Sequence, residues 1–402
     1  MIYLDNAATT RMATEVLDAM LPFLADDYGN PSTIYGLGAK AKRAVAKARE
    51  HVGALIGANP EEIYFTSGGT EADNWAIKAV AEAYTDKGKH IITTKIEHHA
   101  VLHTCKWLER QGFEVTYLDV DKDGLVHVED VREALRPDTI LISVMFANNE
   151  IGTIEPIAEI GALAHEHNIL FHTDAVQAFG QIPVDVKAMN IDLLSASAHK
   201  VNGPKGVGCL YIRSDVKIRS FLHGGAQERS RRAGTENVPG IVGFGEAARR
   251  AARILPEKQK RERSLRDYLI DRLESEVPWC RLNGHRSRRL PGNVNFSFSF
   301  VEGESLLIRL DMEGICASSG SACTSGSLDP SHVLLAIGLK HEEAHGSLRF
   351  TLSEENTKEE LDTVVEAVKK TVDLLRRMSP LYEDFLKNHK SERPEELLDK
   401  EA

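Results

Sequence analysis

The sequence predicts an α/β layer fold on a mainly parallel sheet, followed by a smaller α+β unit. Three observations carry this. Apolar, β-rich runs alternate with helical patterns from Ile63 to Ile212. The texture then changes to a long charged helix near Glu246. And 402 residues are too many for one small core.

The elements follow in order. Ile63-Tyr64-Phe65-Thr66 is the first strand candidate, and Ala72, Ala76, Ala79, Val80 and Ala83 recur behind it at helical spacing. Further strands are expected at His90–Thr94, Glu114–Tyr117, Ile140–Val144, Ile169–His172, Leu193–Ala196 and Val207–Ile212. From Glu246 to about Glu276 a charged helix is expected, with a kink or break at Pro256. Leu265, Leu269, Ile270 and Leu273 form one stripe of it. Then come a strand at Asn293–Phe298, a helix at Ser305–Met312, a Ser/Gly loop, a strand at Leu348–Thr351 and a helix from Lys358 to Met378. The expected division is a large domain over 13–255, a small one from 1–12 and 256–380, and a charged, loosely held tail over 381–402.

Composition narrows the function. A hydrophobic fraction of 42% excludes wholesale disorder, and no run of apolar residues is long enough to span a membrane. The net charge of −11 disfavours direct nucleic-acid binding. No signal peptide is visible at Met1-Ile2-Tyr3-Leu4. The 5 cysteines are widely spaced without a CxxC pair, which points to a reducing cytoplasm rather than a disulfide framework.

Four segments carry chemistry. Thr66-Ser67-Gly68-Gly69-Thr70-Glu71 follows a strand and opens a helix, so its free N–H groups suit a phosphate; a plain glycine turn with a cap is the simpler alternative. Phe171-His172-Thr173-Asp174-Ala175-Val176-Gln177 puts an acid at a strand end, where it needs a cation or donors; a helix cap is the alternative. Ser195-Ala196-Ser197-Ala198-His199-Lys200 ends another strand on a lysine suited to a Schiff base, unless it is a solvated surface lysine. Together the three supply what pyridoxal 5′-phosphate requires. In the fourth, Ala317 to Ser327, Cys323 sits among small polar residues with no core around it, whereas Cys316 fits a buried strand.

In this order the segments resemble the NifS/IscS family of pyridoxal-phosphate-dependent cysteine desulfurases. The likeness runs from Tyr3-Leu4-Asp5-Asn6-Ala7-Ala8-Thr9-Thr10 to Ser347-Leu348-Arg349-Phe350, through Tyr28-Gly29-Asn30-Pro31-Ser32, Asn148-Asn149-Glu150-Ile151-Gly152 and Arg232-Ala233-Gly234-Thr235-Glu236-Asn237. The long loop Ser318 to Ser331 is similar to that of the class I branch. The resemblance implies a fold-type I, aminotransferase-like homodimer in which Lys200 binds the cofactor covalently, Asp174 pairs with the ring nitrogen and Gln177 with the ring hydroxyl. It implies that Thr70, Ser197 and His199 hold the phosphate, with the Gly69 backbone and Thr235 of the neighbouring subunit. His98, not His99, matches the family's ring-stacking acid/base; Asn149 and Arg349 would hold the substrate carboxylate. L-cysteine would become L-alanine, leaving a persulfide on Cys323 for an acceptor such as an iron–sulfur scaffold protein or a thiolation relay.

Two rival readings stand beside this one. The first is a selenocysteine lyase or another fold-type I enzyme. The second is a zinc peptidase, from His341-Glu342-Glu343-Ala344-His345, although Gly338 and Gly346 leave that motif little helix to sit on.

Overall fold

The computed structural model describes residues 1–319 and 330–388. Its strands are β1 (Ile2–Tyr3), β2 (Ile63–Thr66), β3 (His90–Thr94), β4 (Glu114–Leu118), β5 (Thr139–Ser143), β6 (Leu170–Asp174), β7 (Leu193–Ser197) and β8 (Gly208–Ile212), then β9 (Cys280–Leu282), β10 (Asn293–Phe298), β11 (Ile315–Cys316) and β12 (Ser347–Thr351). Seven of them form one sheet in the order β2-β8-β7-β6-β5-β3-β4. All run parallel except β8, which is antiparallel to both of its neighbours.

Successive residues of these strands point to opposite faces, and both faces are covered. Ile92, Ile142, Phe171 and Leu194 join the core under the helices Gly36–Leu55 and Val238–Glu276. Ile91, Leu141, Leu193 and Leu210 join the opposite core, which is centred on Trp75 of the helix Gly69–Ala83. This is why the strands read as unbroken apolar runs. Trp75 is fully buried and donates its indole N–H to the Arg219 carbonyl at 3.0 Å.

A second core surrounds the antiparallel sheet β12-β10-β9, with Phe296, Phe298 and Phe350 packed against Val364, Val368 and the Leu269/Ile270/Leu273 stripe. The amino terminus belongs to this part. β1 pairs in parallel with β11, and Asp5 bridges to Thr351.

Two expectations are corrected. The long helix begins at Val238 rather than Glu246 and runs on through Pro256 to Glu276. Its glycine-rich start hides the helical pattern for a packing reason: a Cβ on Gly245 would meet the Ala48 Cα at 2.4 Å, so glycine lets the two helices touch. At Pro256 the helix forgoes one backbone donor and continues. The tail, expected to be loosely held from residue 381, starts as a helix, Pro380–Asn388, with Tyr382 and Phe385 against Trp279 and Phe300. Cys316 lies in β11 as expected, though half-buried rather than buried.

A buried carboxyl ties two strand ends together. Glu97 is fully buried, and its Oε1 accepts from the Thr94 hydroxyl at 2.8 Å and the Met145 amide at 2.9 Å. Oε2 has no partner. Burial pushes this carboxyl up to about 8. The folded chain therefore keeps a proton that the unfolded chain releases above an ordinary value of 4.5, and stability falls as pH rises from there toward 8. Glu97→Gln should remove that slope. Thermal unfolding at pH 9 should show a midpoint raised by roughly 2–5 °C, with little change at pH 5. Equal shifts at both pH values would contradict the assignment.

Candidate active site

Five parallel strands deliver their carboxyl ends to one place. β2 leads into Gly69 and Thr70, β3 into Glu97 and His98, and β5 into Met145 and Asn149; β6 ends on Asp174, and β7 on Ser197 just before His199 and Lys200. In open α/β sheets this edge is where ligands bind. The ends surround a cavity of about 310 Å³. Gly69, Thr70, His98, Asn149, Asp174, Gln177, Ser197, His199, Lys200 and Arg349 all line it, along with Ala7, Ala8 and Asp73.

One wall is a helix amino terminus. The helix Gly69–Ala83 opens with Gly69, where a Cβ would meet Val176 Cγ2 at 2.6 Å, so the backbone comes close to the β6 segment only because the side chain is missing. Thr70, Ser197 and His199 stand around these free amides, an arrangement that suits an anion. Glu71 shapes the turn by accepting from the Ser67 amide at 2.9 Å and from Arg232 Nε at 2.8 Å. Burial raises the Glu71 carboxyl, but Arg232 and Ser67 outweigh it, so Glu71 titrates below the usual range.

The floor is acidic and buried. Asp174 accepts from the Val176 amide at 2.9 Å and is buried. Burial raises its carboxyl, while His98, the Val176 amide and Lys200 pull it back. His98 caps the helix His99–Glu109, its Nδ1 accepting from the Ala100 amide at 3.1 Å. Burial lowers this ring's pKa against the pull of Asp174. Single ligand atoms of Asp73, His98 and Asp174 all lie within 4.8 Å of one another.

The opposite wall comes from the amino-terminal segment. Lys200 Nζ donates to the carbonyls of Ala7 at 2.5 Å and Ala8 at 2.8 Å, and Gln177 Nε2 donates to the Ala7 carbonyl at 3.0 Å. The His199 carbonyl accepts from the Thr10 amide at 2.9 Å. The His199 ring is pushed down to about 4 by burial and by Lys200 and Lys205 beside it. Arg349 donates to the Asn149 carbonyl and to Asp5 Oδ1, each at 2.9 Å, and its Nε is buried without a partner.

Two of the expected residues are not among the lining. Thr235 is exposed and outside the cavity of its own chain, and Cys323 lies outside the described residues. Both described roots of its loop are anchored at the site. Ser318 and Arg349 exchange backbone hydrogen bonds at 3.1 and 2.7 Å. Ser331 Oγ donates to Glu150 at 2.5 Å, and His332 Nε2 donates to the Glu97 carbonyl at 2.9 Å. Burial pushes Glu150 up to about 7.

Asp73 escapes a reading of the sequence. It falls on the apolar side of its helix, three residues beyond Thr70 and next to Ala72 and Ala76, and that misplaced charge is the signal that marks it. The HEEAH stretch forms only the helix His341–His345, and both of its histidines are exposed. Among the described residues the group of three His, Cys, Asp or Glu side chains close enough to share an ion is instead the cavity trio. His165 is exposed, as is His167.

The site can be tested against a pyridoxal phosphate on its own chemistry. A helix-end cradle ringed by hydroxyls, a buried carboxylate on the floor and a lysine amine on the wall match its phosphate, ring nitrogen and aldehyde. The residues fit the group.

Comparison with known proteins gives the family. Residues 2–364 match the aminotransferase class-V family. The chain is similar to a cysteine desulfurase IscS of Clostridium botulinum, 59% identical over 96% of this chain and 98% of that protein. Among solved structures, a NifS-like protein superposes with a TM-score of 0.87 at 40% identity, covering 93% of this chain and 99% of that one. SspA in complex with cysteine superposes with a TM-score of 0.79 at 38% identity, covering 89% and 100%. The chain belongs to the aminotransferase class-V family and, within it, to the cysteine desulfurases.

Proposed function

We propose that this desulfurase holds pyridoxal 5′-phosphate in the cavity and takes the sulfur of L-cysteine onto Cys323. The observation that carries the proposal is the convergence of Lys200, Asp174, His98 and the Gly69–Thr70 turn on one cavity with Arg349 at its rim. Thr70, Ser197, His199 and the Gly69 amide would hold the phosphate, Asp174 the ring nitrogen, Gln177 the ring hydroxyl, and Lys200 the covalent link. When bound, the cofactor withdraws electrons from the substrate α-carbon.

The chain's residues divide the remaining work. Arg349 presents a planar fork to the substrate carboxylate, with Asn149 beside it. Lys200 Nζ carries a proton away from the α-carbon, and His98 serves as acid/base at the ring face. The Cys323 thiolate attacks the substrate sulfur. An S–S bond forms, the substrate C–S bond breaks with its electron pair retained on carbon, and protonation of that carbon together with return of a proton to the α-carbon completes alanine. Cys323 is five residues from Ser318, whose backbone pairs with Arg349 of the cavity lining.

The same reading includes a homodimer. Leu17, Leu21 and Leu24 form one exposed stripe of the helix Thr14–Ala25, and Tyr28, Ile34 and Tyr35 are exposed next in sequence. A partner would cover them, and the family resemblance has the partner contribute its Thr235 to the phosphate site. The domain division at residue 255, a cytoplasmic setting and delivery of sulfur to an iron–sulfur scaffold or thiolation protein belong to this reading too. Two facts support the setting: the described cysteines are unpaired, and no helix among the described residues is long and apolar enough to cross a membrane.

Incubation with L-cysteine should add one sulfur to the Cys323 peptide and release alanine. Cys323→Ala should lose sulfur release by roughly a thousandfold while still changing the visible spectrum with L-cysteine. Full turnover by that variant would remove the persulfide role. Lys200→Ala should lose the visible band that borohydride bleaches in the wild type, along with nearly all activity. Sedimentation should give twice the monomer mass, and Leu21→Arg should shift it toward the monomer and weaken cofactor retention.

A further inference from the structure

Asp73 is unusual among the cavity residues. It is 1% exposed, and its Oδ1 has no hydrogen-bond partner. Its carboxyl lines the cavity beside Asp174, within 4.8 Å of a carboxylate oxygen there and of a His98 ring nitrogen.

The groups facing Asp73 offer it no cation. From β6, His172 Nε2 approaches Oδ1 at 3.7 Å, but burial drives this ring down to about 3, so it is neutral. Its two nitrogens are already engaged by Ser143 at 2.8 Å and Ser195 at 3.1 Å. From β7 comes the Ser195 hydroxyl. From the loop after β3 come Glu97, buried and raised itself, and His98, whose favourable charge acts on Asp174. Lys200 is occupied by the Ala7 and Ala8 carbonyls. Burial raises Asp73 well above the usual carboxylate range; Asp174 and Glu97 push the same way, and only Ser195 opposes them. Two carboxyls this close in a dry pocket do not both ionise.

The members of the pair are not equivalent. Asp174 has the Val176 amide, His98 and Lys200 to favour its anion, and Asp73 has only a hydroxyl. We infer that Asp73 is a positioning residue that stays protonated, placing a neutral donor on the cavity floor and leaving Asp174 as the single carboxylate there. The inference rests on the reading of Asp174 as partner of the cofactor ring. An ionised Asp73 would draw the shared proton toward Asp174 and weaken its hold on the ring nitrogen.

The test compares Asp73→Asn, neutral and of equal size, with Asp73→Ala. In cofactor-free protein at neutral pH, the infrared difference between wild type and Asp73→Asn should contain the carbonyl stretch of a protonated carboxyl. In holoenzyme, Asp73→Asn should keep the visible band, its pH titration and kcat within roughly threefold of wild type. Asp73→Ala should shift the band and lower kcat roughly tenfold or more, with KM for L-cysteine changed less than about threefold. A carboxylate stretch in place of the protonated one overturns the inference. So does an Asp73→Asn loss as large as that of Asp73→Ala, or an Asp73→Ala enzyme indistinguishable from wild type. Should Asp73→Ala not fold, the infrared band and the Asp73→Asn spectrum decide. A wild type that takes up no borohydride-sensitive cofactor overturns the reading of the cavity, and leaves the infrared result to judge Asp73 alone.

Discussion

Removing a carboxylate from water at the end of a buried strand is the constraint that organises this molecule. Asp174 closes β6 in the middle of the large sheet, where solvent cannot stabilise it. Its anion has to be supported by protein groups, and the fold supplies them from separate elements. The Val176 amide comes from the turn that follows, His98 from the end of β3, and Lys200 from the end of β7. None of these is near Asp174 in sequence except the turn. They meet because parallel strands bring all their carboxyl ends to one edge. The sheet is thus the device that makes a buried charge tolerable, and the cavity is the place where that tolerance is available to a ligand.

The same edge accumulates further acids, and each is handled differently. Glu71 is ion-paired with Arg232 and stays anionic. Glu97 has two donors on one oxygen and none on the other, and is held up near 8. Glu150 is held up near 7, with the Ser331 hydroxyl and Arg349 opposing its burial. The chain therefore does not simply place negative charge around the site. It grades the carboxyls by the donors and cations that reach them: Glu71, met by Arg232 and the Ser67 amide, is held below the usual range, and the more deeply buried Glu97 and Glu150 above it.

How much of this the sequence discloses depends on the kind of interaction. The strands were legible as apolar runs, and their ends to within two residues: Ile63–Thr66, Ile140–Val144, Ile169–His172 and Leu193–Ala196 correspond to β2, β5, β6 and β7. The start of the long helix was not. Gly240, Gly243 and Gly245 mask its helical pattern, yet Gly245 lets Ala48 approach. The anchoring of the tail was hidden because Tyr382 and Phe385 find their partners, Trp279 and Phe300, far away in the chain. Asp73 was missed for a similar reason. Its meaning lies in Asp174 and His172, which only the sheet brings beside it.

Arg349 shows how the two parts of the chain become one site. Its guanidinium reaches Asp5 from the amino-terminal segment and the Asn149 carbonyl from the large-sheet side. Its backbone, meanwhile, pairs with Ser318 at the root of the cysteine loop. On the proposed function, a substrate carboxylate at the fork would meet Asp5 on the same donors. Asp5 lies two residues before Ala7, whose carbonyl holds both Lys200 and Gln177. The acid that meets Arg349 and the carbonyl that meets Lys200 thus belong to one stretch, residues 5–7. The amino-terminal segment is short, bridges to Thr351 and spans from one sheet to the other. Its own hydrogen bonds tie the guanidinium fork to Lys200, and so the first ten residues belong to the site, with Ala7 and Ala8 in the cavity lining and Leu4 in the second core.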